Sequence, residues 1–433
     1  MSERTHATPR PDAATVSFDH LRPEFHARRL EEWGKLRETC PVAWNPNYGG
    51  FWAVASYEEV CTVARDAEVY SSAYEPGAAD GIDYLGISGV PRKVGIPRVG
   101  IAEVEGPDHE ALARLMNRCL RPKVAQERAE LMRSTARWFL DQKIETGAID
   151  LVDDYASPVT AVLTMALIGL PTGDWEPYAD LFHATIARRP SDPRYQRATA
   201  QVPQMLERLR AEADRCRARP RDDILSALVQ LERDGRPLDD EAITSVLWNL
   251  IGGGLDTTAS LTVLTLLHLA THPDQRHRLI EQPSLLPGAT EEFLRYFSVS
   301  EQLSRTVSVD TELGGQRLRA GDRVLISWLS ANRDATQFPD PDEVILDRSP
   351  NPHVAFGVGP HRCLGLHIAR VSFQVLIREV LERIPDYQVS EPPEFYDGNP
   401  LLNGLVKLPV TFTPGPRLGP GKPPFLLETD DDH

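Results

Sequence analysis

The chain has 433 residues, 41% of them hydrophobic, and a formal net charge of −16 at pH 7. The apolar fraction suffices for a large core, while the acidic balance argues against a nucleic-acid partner, which would need a clustered excess of Lys and Arg. The five cysteines, Cys40, Cys61, Cys119, Cys216 and Cys363, are scattered and odd in number with no Cys-x-x-Cys pair, so neither a disulfide framework nor a zinc or iron–sulfur spacing is present. Met1 to Arg10 is polar without an apolar signal core, and no apolar run reaches membrane-spanning length, which points to a soluble cytoplasmic protein.

In chain order, residues 1–16 read as a disordered or loosely attached tail, as do residues 413–433, where Pro and Gly alternate before an acidic end. A single domain over 17–412 lies between them. Residues 52–56 read as a short strand followed by a helix from Tyr57. Residues 73–106 form a Gly/Pro-rich loop, too apolar for a linker because it carries Tyr84, Leu85, Ile87, Ile96 and Ile101. From Pro107 to about Arg295 the apolar spacing is mainly helical, including two helices over 175–187 and 195–217 joined through Arg188-Arg189-Pro190. Residues 318–329 read as a strand pair around Ala320-Gly321-Asp322 and 405–412 as a late strand. The fold class is therefore mainly α with a small β component.

Three local patterns carry chemistry. Gly252-Gly253-Gly254-Leu255-Asp256-Thr257-Thr258 falls inside a helical run that starts near Ala242 and resumes at Leu261, Leu264 and Leu267. An interior glycine costs ~1 kcal/mol relative to Ala. Either the helix ends there, or the glycines open a groove beside an acid and an alcohol able to pass protons. Asn249, Gly253 and Thr257 repeat at i, i+4 and i+8, so Asn249 shares that face, where it could orient a substrate or simply bond to backbone or water. Glu292-Phe293-Leu294-Arg295 sets opposite charges at i and i+3, a weak signal alone. Finally, Phe356-Gly357-Val358-Gly359-Pro360-His361-Arg362-Cys363-Leu364-Gly365 puts one cysteine on a glycine-shaped loop just before an apolar helical run. There the helix dipole favours the thiolate, the form that binds iron. Two patterns are decoys. His268 and His272 have zinc-helix spacing without the intervening Glu and run into Pro273, and Gly357-Val358-Gly359 meets Arg362 where a dinucleotide loop needs its third glycine.

At the cysteine loop the chain resembles the cytochrome P450 family, whose signature Phe-Gly-x-Gly-x-His-x-Cys-x-Gly is matched at every specified position. The resemblance implies a helical haem-thiolate fold, haem b with Cys363 as proximal iron ligand, and monooxygenase chemistry. It implies that Gly253, Gly254, Asp256 and Thr257 form the distal helix motif, with Thr257 ordering a water at the dioxygen site and Asp256 relaying protons. It also implies a structural cluster of Glu292, Arg295 and Arg348, and propionate partners among His361, Arg305 and His109, each of which could equally be an ordinary polar residue. Phe356 and Gly253 complete the cofactor contacts. The usual Arg four residues after His109 is absent, since position 113 is Ala; Arg114 lies about 100° further round the helix. The loop with Tyr84, Leu85 and Ile87, together with Asn249, Gly252 and Leu303, would line the substrate pocket, and the 175–217 helix pair would be its movable lid. Arg188 and Arg189 would either attract an acidic substrate or be solvated.

The function implied is hydroxylation or epoxidation, using O2, of an apolar small molecule such as a terpenoid, polyketide or other specialised metabolite. With no cofactor loop or cluster of its own for electron supply, the chain would rely on a ferredoxin or flavodoxin and its reductase. The exposed-reading basic cluster Arg114, Arg118, Arg121 and Lys123 would dock that donor or form a solvated face. The alternatives are oxidative coupling or cyclisation without oxygen insertion, and a non-catalytic haem protein that binds a ligand; the Asp256-Thr257 pair weighs against the latter.

Overall fold

The computed structural model describes residues 10, 12–92, 96–233, 235–397, 401–419 and 421–426. The chain divides into two compact units. The first comprises Met1–Ala111, Glu291–Cys363 and Asn399–Asn403; the second comprises Leu112–Thr290, Leu364–Gly398 and Gly404–His433.

The first unit is built on a five-stranded sheet in the order Val42–Asn45, Phe51–Val54, Arg323–Ser327, Gln302–Val307, Tyr70–Ser71. Arg323–Ser327 runs parallel to Phe51–Val54, and the other pairings are antiparallel. Both faces of its centre are covered, so these strands read as continuous apolar runs. The two-residue period still sorts them. Trp52, Val54, Val324 and Ile326 pack with Val60, Val63 and Ala64 of the helix Tyr57–Arg65, while Phe51, Ala53 and Leu325 pack with Trp33 and Leu36 of the helix Pro23–Thr39.

The strand pair expected over 318–329 is corrected. Gln316–Leu318 pairs with Thr311–Leu313 in a separate hairpin, and Arg323–Ser327 belongs to the main sheet; residues from Trp328 form a helix, Trp328–Ala331. The hairpin reverses at Gly314 and Gly315, whose φ values of 54° and 73° suit residues without a side chain. Gly321 marks a second turn that feeds the main sheet. Within the loop 73–106 lie a small hairpin of Tyr74–Glu75 with Tyr84–Leu85 and a turn of 3-10 helix, Gly100–Glu103.

The second unit is helical around Asp240–Thr271, 32 residues that run unbroken through the three glycines. Among the described residues it is the one helix long and apolar enough to cross a membrane, yet 67% of its apolar window is buried within the protein, as befits a core helix that is apolar all round. The helices Trp175–Ala187 and Pro193–Ala218 agree with the spacing read from sequence. The late strand is split at Leu408: Leu405–Lys407 pairs with Glu394–Phe395, and Pro409–Thr411 lies between Gln388–Val389 and Ala148–Asp150.

Parts of both expected tails are docked. Val16 N–H donates to Trp44 O at 2.9 Å, tying the N-terminal segment to the sheet edge. Past residue 413, the N–H groups of Leu418 and Gly419 donate to Asp141 Oδ2 at 3.0 and 2.6 Å, and buried Phe425 stacks on Phe139 at 5.6 Å. Buried aromatic area of this kind outweighs the ordering cost that the Pro/Gly composition suggested would go unmet. Residues 1–9, 11, 420 and 427–433 of those tails lie outside the described residues.

Candidate active site

The cysteine loop is closed by its own backbone. Cys363 N–H donates to Phe356 O at 2.8 Å, Arg362 N–H to Gly359 O at 3.2 Å and Gly357 N–H to Val354 O at 2.8 Å. Gly359 is obligatory on two counts: its φ is 81°, and a Cβ there would stand 2.3 Å from Ala64 O. The result holds the exposed Cys363 three residues ahead of the helix Leu366–Arg383.

His361 in this loop reaches a residue that sequence reasoning missed. Its Nε2 lies 2.9 Å from Glu105 Oε2 and 2.9 Å from Ser72 Oγ, and Ser72 also donates its N–H and hydroxyl to Glu105 Oε1 at 2.8 and 2.7 Å. Burial pushes the Glu105 carboxyl up, but the His361 hydrogen bond and charge together with the Ser72 donors outweigh it and hold the acid below its usual range. With Nε2 so engaged, His361 keeps only Nδ1 for another anion. The His109 ring packs 4.2 Å from that of His361 and, chiefly through burial and then through the His361 charge, titrates below the ordinary histidine value.

Arg305 is 4% exposed, and among the described residues it forms no ion pair; Nη1 donates to Ser304 O at 2.8 Å. Burial lowers its pKa to about 10, partly opposed by Glu105, so it remains a cation at neutral pH. A buried guanidinium without a carboxylate partner is a site for an anion.

Glu292, Arg295 and Arg348 come together as a closed cluster. Arg295 Nε and Nη2 form a fork on the two Glu292 oxygens at 2.8 Å each, while Arg348 Nε reaches the same carboxylate at 3.0 Å. The remaining Arg295 donors bond the carbonyls of Asn332, Pro341 and Glu343, which anchors the segment leading to the cysteine loop.

In the second unit, the three glycines of Asp240–Thr271 are not equivalent. A Cβ on Gly252 would stand 3.1 Å from the Phe182 ring and one on Gly254 would be 2.6 Å from Thr164 Oγ1, whereas one on Gly253 would meet nothing within 4 Å. Gly253 alone faces open space; Gly252, read from sequence as a pocket residue, faces Phe182. Thr257 Oγ1 donates to Gly253 O at 2.7 Å, which leaves its lone pairs to accept from a further donor. Asp256, 2% exposed, points away from solvent: its Oδ1 lies 3.2 Å from Nδ1 of His183 on Trp175–Ala187. Tyr396 packs edge-on to the His183 ring at 5.6 Å and shares a hydrogen bond of 3.1 Å with Ser260. Burial and then the Asp256 charge push its phenol well above the usual value, so it stays protonated. His183 and Tyr396 had no sequence signal, being 73 and 140 residues from Asp256 in the chain.

Other pocket candidates fare differently. Tyr84 turns its hydroxyl to Asp80 Oδ2 at 2.8 Å within its own hairpin, Leu303 packs beside the sheet core, and the backbone N–H groups of Leu85 and Ile87 bond Thr306 and Glu103. Asn249 is half-buried. Of the two arginines read as bait for an acidic substrate or as solvated, Arg188 is buried and pairs with Glu394, while Arg189 is exposed and pairs with Asp397. The His268–His272 pair closes its helix, and His268 Nε2 bonds Gln275 at 2.9 Å.

The family model described as cytochrome P450 matches residues 174–410. The chain is 30% identical to the mycinamicin IV hydroxylase/epoxidase of Micromonospora griseorubida over 88% of this chain and 94% of that protein, and 31% identical to the steroid C26-monooxygenase of Mycolicibacterium smegmatis over 90% and 93%. The chain belongs to the cytochrome P450 family. Among solved structures, a Mycobacterium marinum P450 in complex with pseudoionone is similar at a TM-score of 0.82 and 28% identity, covering 94% of this chain and all of that one. P450BioI in complex with an acyl carrier protein that carries hexadec-9Z-enoic acid is similar at 0.80 and 26%, covering 90% and 100%. This P450 is thus an oxidoreductase, and its family implies a haem cofactor. The residues of the first unit fit one: an exposed cysteine on a glycine-shaped loop and a buried cation lacking a carboxylate at Arg305.

Proposed function

We propose that the protein is a haem-thiolate monooxygenase, soluble and cytoplasmic, that hydroxylates or epoxidises an apolar small molecule of the terpenoid, polyketide or related specialised-metabolite classes. Haem b would be held by Cys363 through its sulfur and by Arg305, His109 and the free Nδ1 of His361 through its carboxylates, and would supply the activation of O2. The chain's own contribution is proton management. Thr257, with its hydroxyl hydrogen given to Gly253, accepts from an incoming water beside the open face of Gly253, and the buried Asp256 supplies protons from behind. The observation that carries this reading is the acid–alcohol pair next to Gly253, the one of the three consecutive helix glycines that faces open space. The names of the relatives, which span a macrolide hydroxylase/epoxidase and a steroid monooxygenase, support an apolar substrate.

The test begins with a difference-spectrum screen of a metabolite library to find a ligand. Thr257→Ala is then expected to bind haem and ligand as wild type does but to lower product per reductant by roughly 10²-fold, the low end of what a positioned proton donor contributes, with the electrons recovered as hydrogen peroxide. Unchanged product yield would refute the relay.

Electrons would come from a separate acidic ferredoxin or flavodoxin. Arg114, Arg118, Arg121 and Lys123 are all exposed on Gly106–Cys119 and at the start of Pro122–Glu127, a cationic patch in a chain of net charge −16. Arg118→Glu should slow reduction by the donor, most at low salt because screening shortens the reach of exposed charges, while ligand binding stays the same. Rates that match wild type at every ionic strength would place the donor elsewhere.

A further inference from the structure

The Asp256–His183 contact has a feature that a simple structural ion pair lacks: both of its outer ends are open. Among the described residues, neither Asp256 Oδ2 nor His183 Nε2, both buried, has a partner within hydrogen-bond distance, although the Tyr396 phenol lies near enough to the Asp256 carboxylate for a weak interaction. A buried polar atom left unpaired is costly, so two in one pair are unexpected unless each end exchanges a hydrogen bond during function. The inner link has a defined direction. An ionised carboxylate only accepts, so Nδ1 carries the hydrogen and Nε2 is the end that gains or loses a proton. The His183 side chain is 17% exposed, which brings one edge of the ring to solvent although Nε2 itself is covered.

We propose that His183 is a positioning residue that also reloads Asp256 with protons, taking a proton at Nε2 from water and passing its Nδ1 proton to Asp256 Oδ1. The transfer balances: the Nδ1–H bond breaks as Oδ1–H forms and Nε2 keeps the incoming proton; the carboxyl then turns about its Cβ–Cγ bond, so that the new O–H faces away from His183 and that same proton is handed on. His183 returns to its starting tautomer by exchanging its protons with water. The inference rests on the monooxygenase reading and adds to it the route by which the buried acid is resupplied.

The surroundings favour a protonatable imidazole. The groups facing His183 are Asp256 on the long helix, Asp153 on the turn before Ser157–Ile168, Arg188 at the end of its own helix and the neutral phenol of Tyr396. Burial disfavours the imidazolium, but the charge and hydrogen bond of Asp256 and the charge of Asp153 outweigh both burial and Arg188, and the net shift is upward from 6.5. Since the folded value lies above the unfolded one, the pair's contribution to stability is full below pH 6.5 and fades as pH rises through the folded value.

Three proteins decide the matter: wild type, His183→Asn, which retains an N–H donor for Asp256 but cannot titrate, and Thr257→Ala. In ¹⁵N-histidine NMR of the diamagnetic ferrous carbonyl form, the one signal lost in His183→Asn should titrate above 6.5 in wild type. Dithionite-reduced protein is then mixed with air-saturated buffer, and peroxide release is followed against pH in H2O and D2O. Wild type should show an inflection at the His183 value and a solvent isotope effect. His183→Asn should lose both and slow by roughly tenfold or more, a modest share of general-acid catalysis. A His183→Asn protein that keeps the inflection and isotope effect, or a wild-type His183 that titrates at or below 6.5, would overturn the proposal and leave the histidine as a structural contact. If Thr257→Ala keeps its full product yield while His183→Asn loses the inflection, it is the threonine relay that fails and not the reloading of Asp256.

Discussion

A Cys363→Ala protein is expected to lose the red-shifted ferrous carbonyl band and all reductant-driven turnover while its secondary structure survives. The loop's turns are set in its backbone: Cys363 donates its N–H to Phe356 O, and Gly357 and Gly359 take positive φ. If Cys363 holds the haem iron as proposed, removing the sulfur removes that ligand and its electron donation while the glycine turns remain. Circular dichroism should match wild type, and haem content should fall or the carbonyl spectrum shift to that of a haem without thiolate. A Cys363→Ala protein with the wild-type band and wild-type turnover would refute the ligand assignment.

Arg295→Ala is expected to be the most destabilising single change in the cluster. The side chains of Arg295 and Glu292 are both 0% exposed, and the guanidinium is the partner of one carboxylate and three backbone carbonyls. Deleting one partner of a buried pair leaves an uncompensated charge, with a cost of about 3–5 kcal/mol. Here Arg348 still reaches Glu292 and the Glu343 carbonyl, which limits the loss there, but the carbonyls of Asn332 and Pro341 lose their Arg295 donor as well. Arg295→Lys should fare little better, because a point charge cannot reproduce the fork. Unfolding of a chain this long is usefully read as a rate, so the half-life of the haem spectrum at elevated temperature is the measure. Arg295→Ala should shorten it severalfold or prevent folding altogether. Lys35→Ala, which breaks an exposed pair with Glu31, should leave it unchanged. Equal half-lives for Arg295→Ala and wild type would show the cluster to be dispensable.

What was legible in the sequence was whatever a few adjacent residues decide among themselves. The cysteine loop could be read because glycine at Gly357 and Gly359 permits backbone angles that other residues avoid, and Glu292 and Arg295 because i, i+3 spacing puts them on one helix face. The helix Trp175–Ala187 and the long Asp240–Thr271 helix followed from apolar periodicity, with Asp256 and Thr257 placed by it on adjacent faces. Tertiary structure decided which of these side chains met a partner and which faced open space. Gln316–Leu318 and Arg323–Ser327 are separated by one turn yet belong to different sheets, because the apolar strand Arg323–Ser327 is buried between Phe51–Val54 and Gln302–Val307. Arg188 and Arg189 met their partners Glu394 and Asp397 only through folding, from 206 and 208 residues away. Of three consecutive glycines, only the packing of Phe182 and Thr164 singles out Gly253. Glu105 on His361 and His183 on Asp256 belong to the same class: each is an ordinary polar residue in its local sequence, and only folding brings it within hydrogen-bond reach of its charged partner.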